Sequence, residues 1–149
     1  MREILFRGKR LDNGEWIIGY YAKLPHPSTA FLKDYIVEVK FDEEYVVDDI
    51  EYILVDPKTV GQFTGLLDKN GNKIFEGDII KSKYNTTVIK FGEFHDTKSH
   101  EQVGFYQVYW GDDWDDFSNA TMDDVKDGEI IGNIHDNGDL YKKIKGEIK

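Results

Sequence analysis

Hydrophobic and polar positions alternate with a period of two along most of this chain, as expected of half-buried strands. In DYIVEVKF, Tyr35, Val37, Val39 and Phe41 share one face, and Asp34, Glu38 and Lys40 share the other with Ile36 among them. In EWIIGYYAKL the same period groups Trp16, Ile18, Tyr20 and Ala22. TTVIKF and GFYQVYW repeat the pattern, with Tyr106, Val108 and Trp110 on one face, and EIIGNI reads as a last short strand. Aromatic and β-branched side chains, which suit a pleated surface, fill these runs.

Turn chemistry separates the strands. Asp12, Asn13 and Gly14 part EILFRGK from WIIGYY, and Asp68, Lys69, Asn70 and Gly71 stand between Leu67 and Ile74. Asn and Gly supply the positive-φ positions of tight hairpins. Asp136, Asn137 and Gly138 read as a third turn of this kind. In IFEGDII, Gly77 permits a chain reversal and the Asp78 carboxylate is placed to accept nearby backbone N–H groups. AKLPHPSTAFLK, with Pro25 and Pro27, reads as a loop or crossover. Helical signal is sparse: Trp114, Phe117, Thr121 and Val125 are spaced for a short helix that Gly128 would stop. The expectation is a mainly β chain, α+β at most. A small N-terminal sheet over residues 1–61 precedes a compact SH3-like barrel of four or five strands with a C-terminal tail over residues 62–149. The two can also be counted as a single domain.

Composition narrows the function classes. The 149 residues contain no cysteine, which removes disulfides, thiolate catalysis and Cys-ligated metal centres. The N-terminus MREILFRGKR carries charges where a signal peptide needs an apolar run. The apolar run around WIIGYYA is far shorter than the ~18 residues of a membrane span. A cytoplasmic protein with no membrane association is expected. Net charge is −10, unevenly spread. Residues 1–10 are basic (Arg2, Arg7, Lys9 and Arg10 against Glu3), as are residues 141–149 (Lys142, Lys143, Lys145 and Lys149 against Glu147). Residues 111–129 set seven Asp and one Glu against Lys126. The acidic balance disfavours nucleic acid as a partner. The basic ends lack counter-charge close by in sequence, which favours oriented self-association into a homo-oligomer.

Candidate chemistry is thin. The glycines of LLDKNGNKIFEGDIIKSK match neither GxxxxGK[ST] nor GxGxxG and lead into strands, so they read as structural turns. Asp112, Asp113, Asp115 and Asp116 surround Trp114 and could ligate a hard cation, but they lack the glycine and glutamate of an EF-hand loop. A solvated acidic loop is the simpler reading, and no resident metal or cofactor is expected. Trp110 and Trp114 in that acidic rim are candidate partner contacts. The four histidines (His26, His95, His100 and His135) have no zinc-site spacing, and GxSxG is absent.

The blocks FRGKRLDNGEWIIGYY, DPKTVGQFTGLLDKNGNKIFEGDII and EIIGNIHDN occur in an order that resembles the YopX family, small proteins encoded largely by phages and prophages. The central block is the most specific, and Gly138 stands where the family's closing phrase has proline. The resemblance implies a mainly β fold with an SH3-like part, a phage-related origin in a bacterial host, and homo-oligomerisation. It also implies structural roles for Thr64, Gly65, Leu66, Asp68, Asn70, Gly71, Glu76, Gly77, Asp78, Gly132 and Asn133, and brings no catalytic residue. Two functions of different class follow. One is a non-enzymatic, self-associating accessory protein that binds a host or phage macromolecule. The other is a metal-dependent enzyme acting on nucleic acid through the carboxylates near Asp112.

Overall fold

A computed structural model of the protein describes residues 3–83, 85–95, 100–109, 119–120, 122 and 125–146. They are mostly β. The strands are β1 (Phe6–Lys9), β2 (Trp16–Pro25), β3 (Leu32–Phe41), β4 (Val47–Leu54), β5 (Gly61–Leu67), β6 (Lys73–Phe75), β7 (Asp78–Lys81), β8 (Thr86–His95), β9 (Glu101–Tyr109), β10 (Asn119–Ala120) and β11 (Glu129–Asn133). One α-helix, α1 (Gly138–Ile144), and two short 3-10 turns, Pro57–Thr59 and Val125–Asp127, complete the described elements. The chain divides into two compact units, Met1–Phe63 and Thr64–Lys149, with the division falling inside β5.

The first unit is an antiparallel sheet in the order β4-β3-β2-β1, with the start of β5 beside β1. β2 serves two partners. Its first residues pair with β1 (Phe6 with Gly19, Lys9 with Trp16), and from Tyr20 onward it pairs with β3. Gly19 sits at this change of partner. A Cβ built there would lie 2.4 Å from the Val37 carbonyl oxygen and 2.9 Å from Ile36 Cγ2. Gly8 likewise gives room to Val55, whose side-chain atoms would lie 3.0–3.2 Å from a Cβ. The ends of β1 and β4 meet in a bridge between Arg10 and Val55, with Asp56 N–H donating to Lys9 O (2.8 Å). Ile36, Ile53 and Val55 are buried on this inner side.

Alternation along β2 and β3 groups the residues that the sequence groups, but burial is split between the faces, with Tyr35 buried on the apolar one. Ile36, set among charged residues in the pattern, is fully buried, whereas Phe41, Ile18 and Tyr20 are exposed. A period of two sorts residues into faces without saying which face meets the core. β2 also extends through Pro25, so the segment assigned to a loop shrinks to the residues after it.

In the second unit the later part of β5 neighbours β6, and a five-stranded sheet runs β10-β9-β8-β7-β11. This sheet is open, with β10 and β11 at its edges, so the described strands do not close into the expected SH3-like barrel. Its core is Ile74, Ile80, Ile89 and Val125, against which Leu66, Phe105, Met122 and Ile130 pack. Of the expected helix near residues 114–125, Trp114, Phe117 and Thr121 lie outside the described residues, and Val125 opens the second 3-10 turn. Of the turn read at Asp136–Gly138, Asp136 ends a turn over residues 134–136, and a helix starts at Gly138. Asn137 precedes α1 with φ −118°, and Gly138 is its first residue. The stretch has an Asn-Gly signal but no following strand to pair with.

Candidate functional site

The family-motif residues gather in the second unit, where they join three segments distant in sequence. Asp68 is 5% exposed. Its Oδ1 accepts the Asn70 and Asn72 backbone N–H groups at 2.9 Å each, which builds the turn. Its Oδ2 accepts the Ile130 N–H of β11 at 3.1 Å, which ties the turn to a strand some sixty residues on. Burial pushes the Asp68 carboxyl up, but the donors from Asn72, Ile130 and Asn70 together outweigh it and hold it below its ordinary range. Lys69 N–H donates to Gly128 O (3.0 Å), and Lys69 Nζ lies 3.5 Å from Glu129 Oε2. Gly71, at φ +83°, completes the turn and has nothing within 4 Å of where a Cβ would lie. Gly71→Val is therefore strained by its backbone alone, and a loss of about 1–3 kcal/mol in chemical denaturation is expected. An unchanged midpoint would reject the turn's structural role.

The second turn is buried from both sides. Gly77 has φ +91°; its N–H donates to Ile89 O (2.8 Å) and its carbonyl accepts from Ile134 N–H (2.9 Å). Asp78 is fully buried and accepts the Phe75 N–H at 2.8 Å, the backbone bond that the turn chemistry implies. Thr64 Oγ1 donates to Ile74 O (2.8 Å) and accepts from Leu66 N–H (3.1 Å). Gly65 has φ +85°, and Glu76 is half-buried in the turn. The closing segment forms its own knot. Asn133 Oδ1 accepts from His135 and Asp136 N–H, its Nδ2 donates to Asp136 Oδ2 (3.1 Å), and its N–H donates to Asn137 Oδ1 (3.1 Å). Gly132 leaves the room Asn137 needs, since a Cβ would stand 2.4 Å from Asn137 Oδ1. Thr64, Asp68, Asn70, Asp78 and Asn133 each have a hydrogen-bond partner inside the unit. These bonds tie the two turns to β8, β11 and the closing segment.

Trp110, Asp112, Asp113, Trp114, Asp115 and Asp116 lie outside the described residues. Among the described residues no group of three or more His, Asp or Glu is placed to hold a metal ion. The basic N-terminus is less isolated than its sequence implies. Arg10 makes a bidentate pair with Asp12 (2.9 and 2.7 Å), and Arg7 and Lys9 lie over the Trp16 ring at 4.6 and 5.4 Å. No described helix is long and apolar enough to cross a membrane.

The feature that single-strand reading misses is in the first unit. Register puts Tyr20, Val37 and Tyr52 in one row and Ala22, Tyr35 and Leu54 in the next, with Val39 paired to Ile50 and Ile18 on the same face. This block of three strands contains no charged residue. Glu38, Lys40 and Glu51 all fall on the opposite face. Tyr35 in this block is buried and Lys33 continues the face beside Leu24, yet much of the block is open. Tyr20 is 55% exposed, Tyr52 56%, Ile18 46% and Ile50 45%. At one end of it Leu24, Tyr35, Leu54, His26 and the Arg10–Asp12 pair line a cavity of about 770 Å³. His26 Nδ1 accepts the Ser28 N–H (3.1 Å), which leaves Nε2 as the ring's donor. On the other face the Tyr21 hydroxyl donates to the Asp34 carboxylate, and that bond with burial pushes Tyr21 up to about 12.

The described fold is that of a two-unit, mainly antiparallel β protein. The YopX protein family model matches residues 5–142, nearly the whole chain, and the protein belongs to the YopX family. Among solved structures the chain is similar to the crystal structure of protein EF1440 from Enterococcus faecalis. Identity is 20% and the TM-score 0.50, over 94% of this chain and 99% of that one. That likeness concerns the fold. Among curated proteins, none matches the chain.

Proposed function

We propose that this YopX-family protein is a phage-type accessory protein that works by binding rather than by catalysis, and that it self-associates. The observation that carries the reading is the uncharged, solvent-facing patch of Ile18, Tyr20, Ile50 and Tyr52 on the first unit's sheet. Soluble proteins rarely leave a contiguous apolar patch of several hundred Å² open unless it meets a partner. Tyrosine is well suited to such a face, since it offers a large, rigid contact area with a polar tip. The family motif supports the same reading, because its conspicuous residues are engaged in holding the second unit together. The basic C-terminal helix, with Lys142 and Lys143 in its last turn, and the acidic segment near Asp112 add charge that steers encounter.

Light scattering at micromolar concentration, at low and at high salt, tests self-association. A mass above the monomer under both conditions is expected, because apolar contacts survive screening that weakens exposed ion pairs. A monomer mass under both conditions would sink the reading. A pull-down from a host bacterium with the tagged protein then asks which further host or phage protein it meets.

A further inference from the structure

We infer that the occupant of the first unit's open sheet face is the same face of a second copy, stacked with its strands running antiparallel across a two-fold axis. This rests on the self-association proposed above and says which surface makes it and in what orientation.

Charge selects this surface. Two molecules of net charge −10 repel wherever acidic surface meets acidic surface. The obvious alternative, edge pairing of β4 with itself, sets Asp48, Asp49 and Glu51 against their own copies, the arrangement by which edge strands resist such pairing. The centre of the face, around Tyr20, Val37 and Tyr52, brings no charge to the contact, and Lys33, on the same face, lies toward its β2–β3 end. Its half-exposed tyrosines and isoleucines present on the order of 400–500 Å² per copy, so a two-fold pair approaches the roughly 1,000 Å² of a specific interface.

Charge also selects the orientation. The β3–β4 end of the sheet carries Asp42, Glu43, Glu44, Asp48 and Asp49. Lys40, the cation there, is engaged with Glu51 at 3.3 Å. The opposite end, where β2 turns into β3, carries Lys33 on this face, while Lys23 and Asp34 pair on the other. Stacking with strands parallel lays one acidic tip on the other. Antiparallel stacking lays each acidic tip over the partner's lysine end and puts Val37 near the axis. Sheets stack about 10 Å apart and strands rise about 3.3 Å per residue, so the two tips then stand about 35 Å apart.

The chain has no cysteine, so Glu43→Cys puts one spin label on each copy at the exposed tip. Electron–electron resonance on the labelled full chain is expected to give one distance near 30–40 Å. A distance below about 20 Å means tip on tip and overturns the orientation. No distance in a sample that light scattering shows to be dimeric overturns it also. Tyr52→Asp, and independently Tyr20→Asp, are expected to raise the dimer dissociation constant roughly 100-fold by placing an unpaired charge in the contact. Circular dichroism checks that each is folded. Val103→Asp, exposed in the second unit, is expected to leave the constant unchanged. Dimers that persist in both folded variants reject this face while self-association stands. A monomeric parent chain rejects both.

Discussion

Asp68→Ala is expected to destabilise the second unit by about 3 kcal/mol, and to do so through β11 as well as through the turn itself. One carboxylate holds three backbone donors: those of Asn70 and Asn72 in the turn and that of Ile130 in β11. Hydrogen bonds to a charged acceptor contribute about 1.5–3 kcal/mol each, and a donor left unmade inside the protein costs more than one that water can reach. Asn70 and Asn72 are exposed, so water replaces part of what they lose, whereas half-buried Ile130 is less readily resolvated. Asp68→Asn keeps one acceptor oxygen for the turn but presents an amide to a donor, so about half the loss is expected.

The same residue predicts a pH dependence whose sign is set by the direction of its shift. The folded carboxyl lies below its ordinary value, so the folded state prefers it ionised. Its contribution is complete above the unfolded value near about 4 and is lost as pH falls through the folded value. Urea unfolding of the parent and Asp68→Ala at neutral pH and near pH 3 measures both effects. The gap between the two proteins should narrow in acid. A gap that is constant with pH would show that Asp68 acts by packing and not by charge.

Gly19→Ala is the second large effect, about 2–3 kcal/mol in the first unit. The new Cβ would stand 2.4 Å from the Val37 carbonyl oxygen, a backbone atom held by sheet pairing, and 2.9 Å from Ile36 Cγ2 in the core. β2 must then move away from β3 where it has just left β1, which strains the Tyr20–Val37 pairing as well. Gly14→Ala is the useful contrast, since Gly14 has no neighbour within 4 Å and is strained only by its φ of +72°. Thermal unfolding of the two variants should separate them by more than 1 kcal/mol. Equal midpoints would mean that β2 is not pinned at Gly19.

A good deal of this protein is legible in its sequence because the signals are local. Strand period, the Asn-Gly turn at Gly71 and the reversal at Gly77 depend on neighbours within a few residues, and each is found where the pattern puts it. The Asp78 bond to Phe75 spans three residues and is equally readable. The family blocks are legible for the same reason, since a motif made of turns needs particular residues at particular places. Burial was harder. The pattern of β2 and β3 separates an apolar parity from a charged one, yet Ile36 in the charged parity enters the core and Tyr20 in the apolar parity faces solvent. Which side of a strand meets the core depends on how β1 and β4 come together at Arg10 and Val55, and on the space that Gly8 and Gly19 leave there. These are contacts between residues tens of positions apart. The tie between Asp68 and Ile130 is hidden in the same way, as is the uncharged patch, which exists only once Tyr20, Val37 and Tyr52 are set side by side. Local chemistry thus determined the strands and turns from sequence alone. Only the tertiary structure decided which faces close into a core and which remain open, because that choice is made by packing between distant segments.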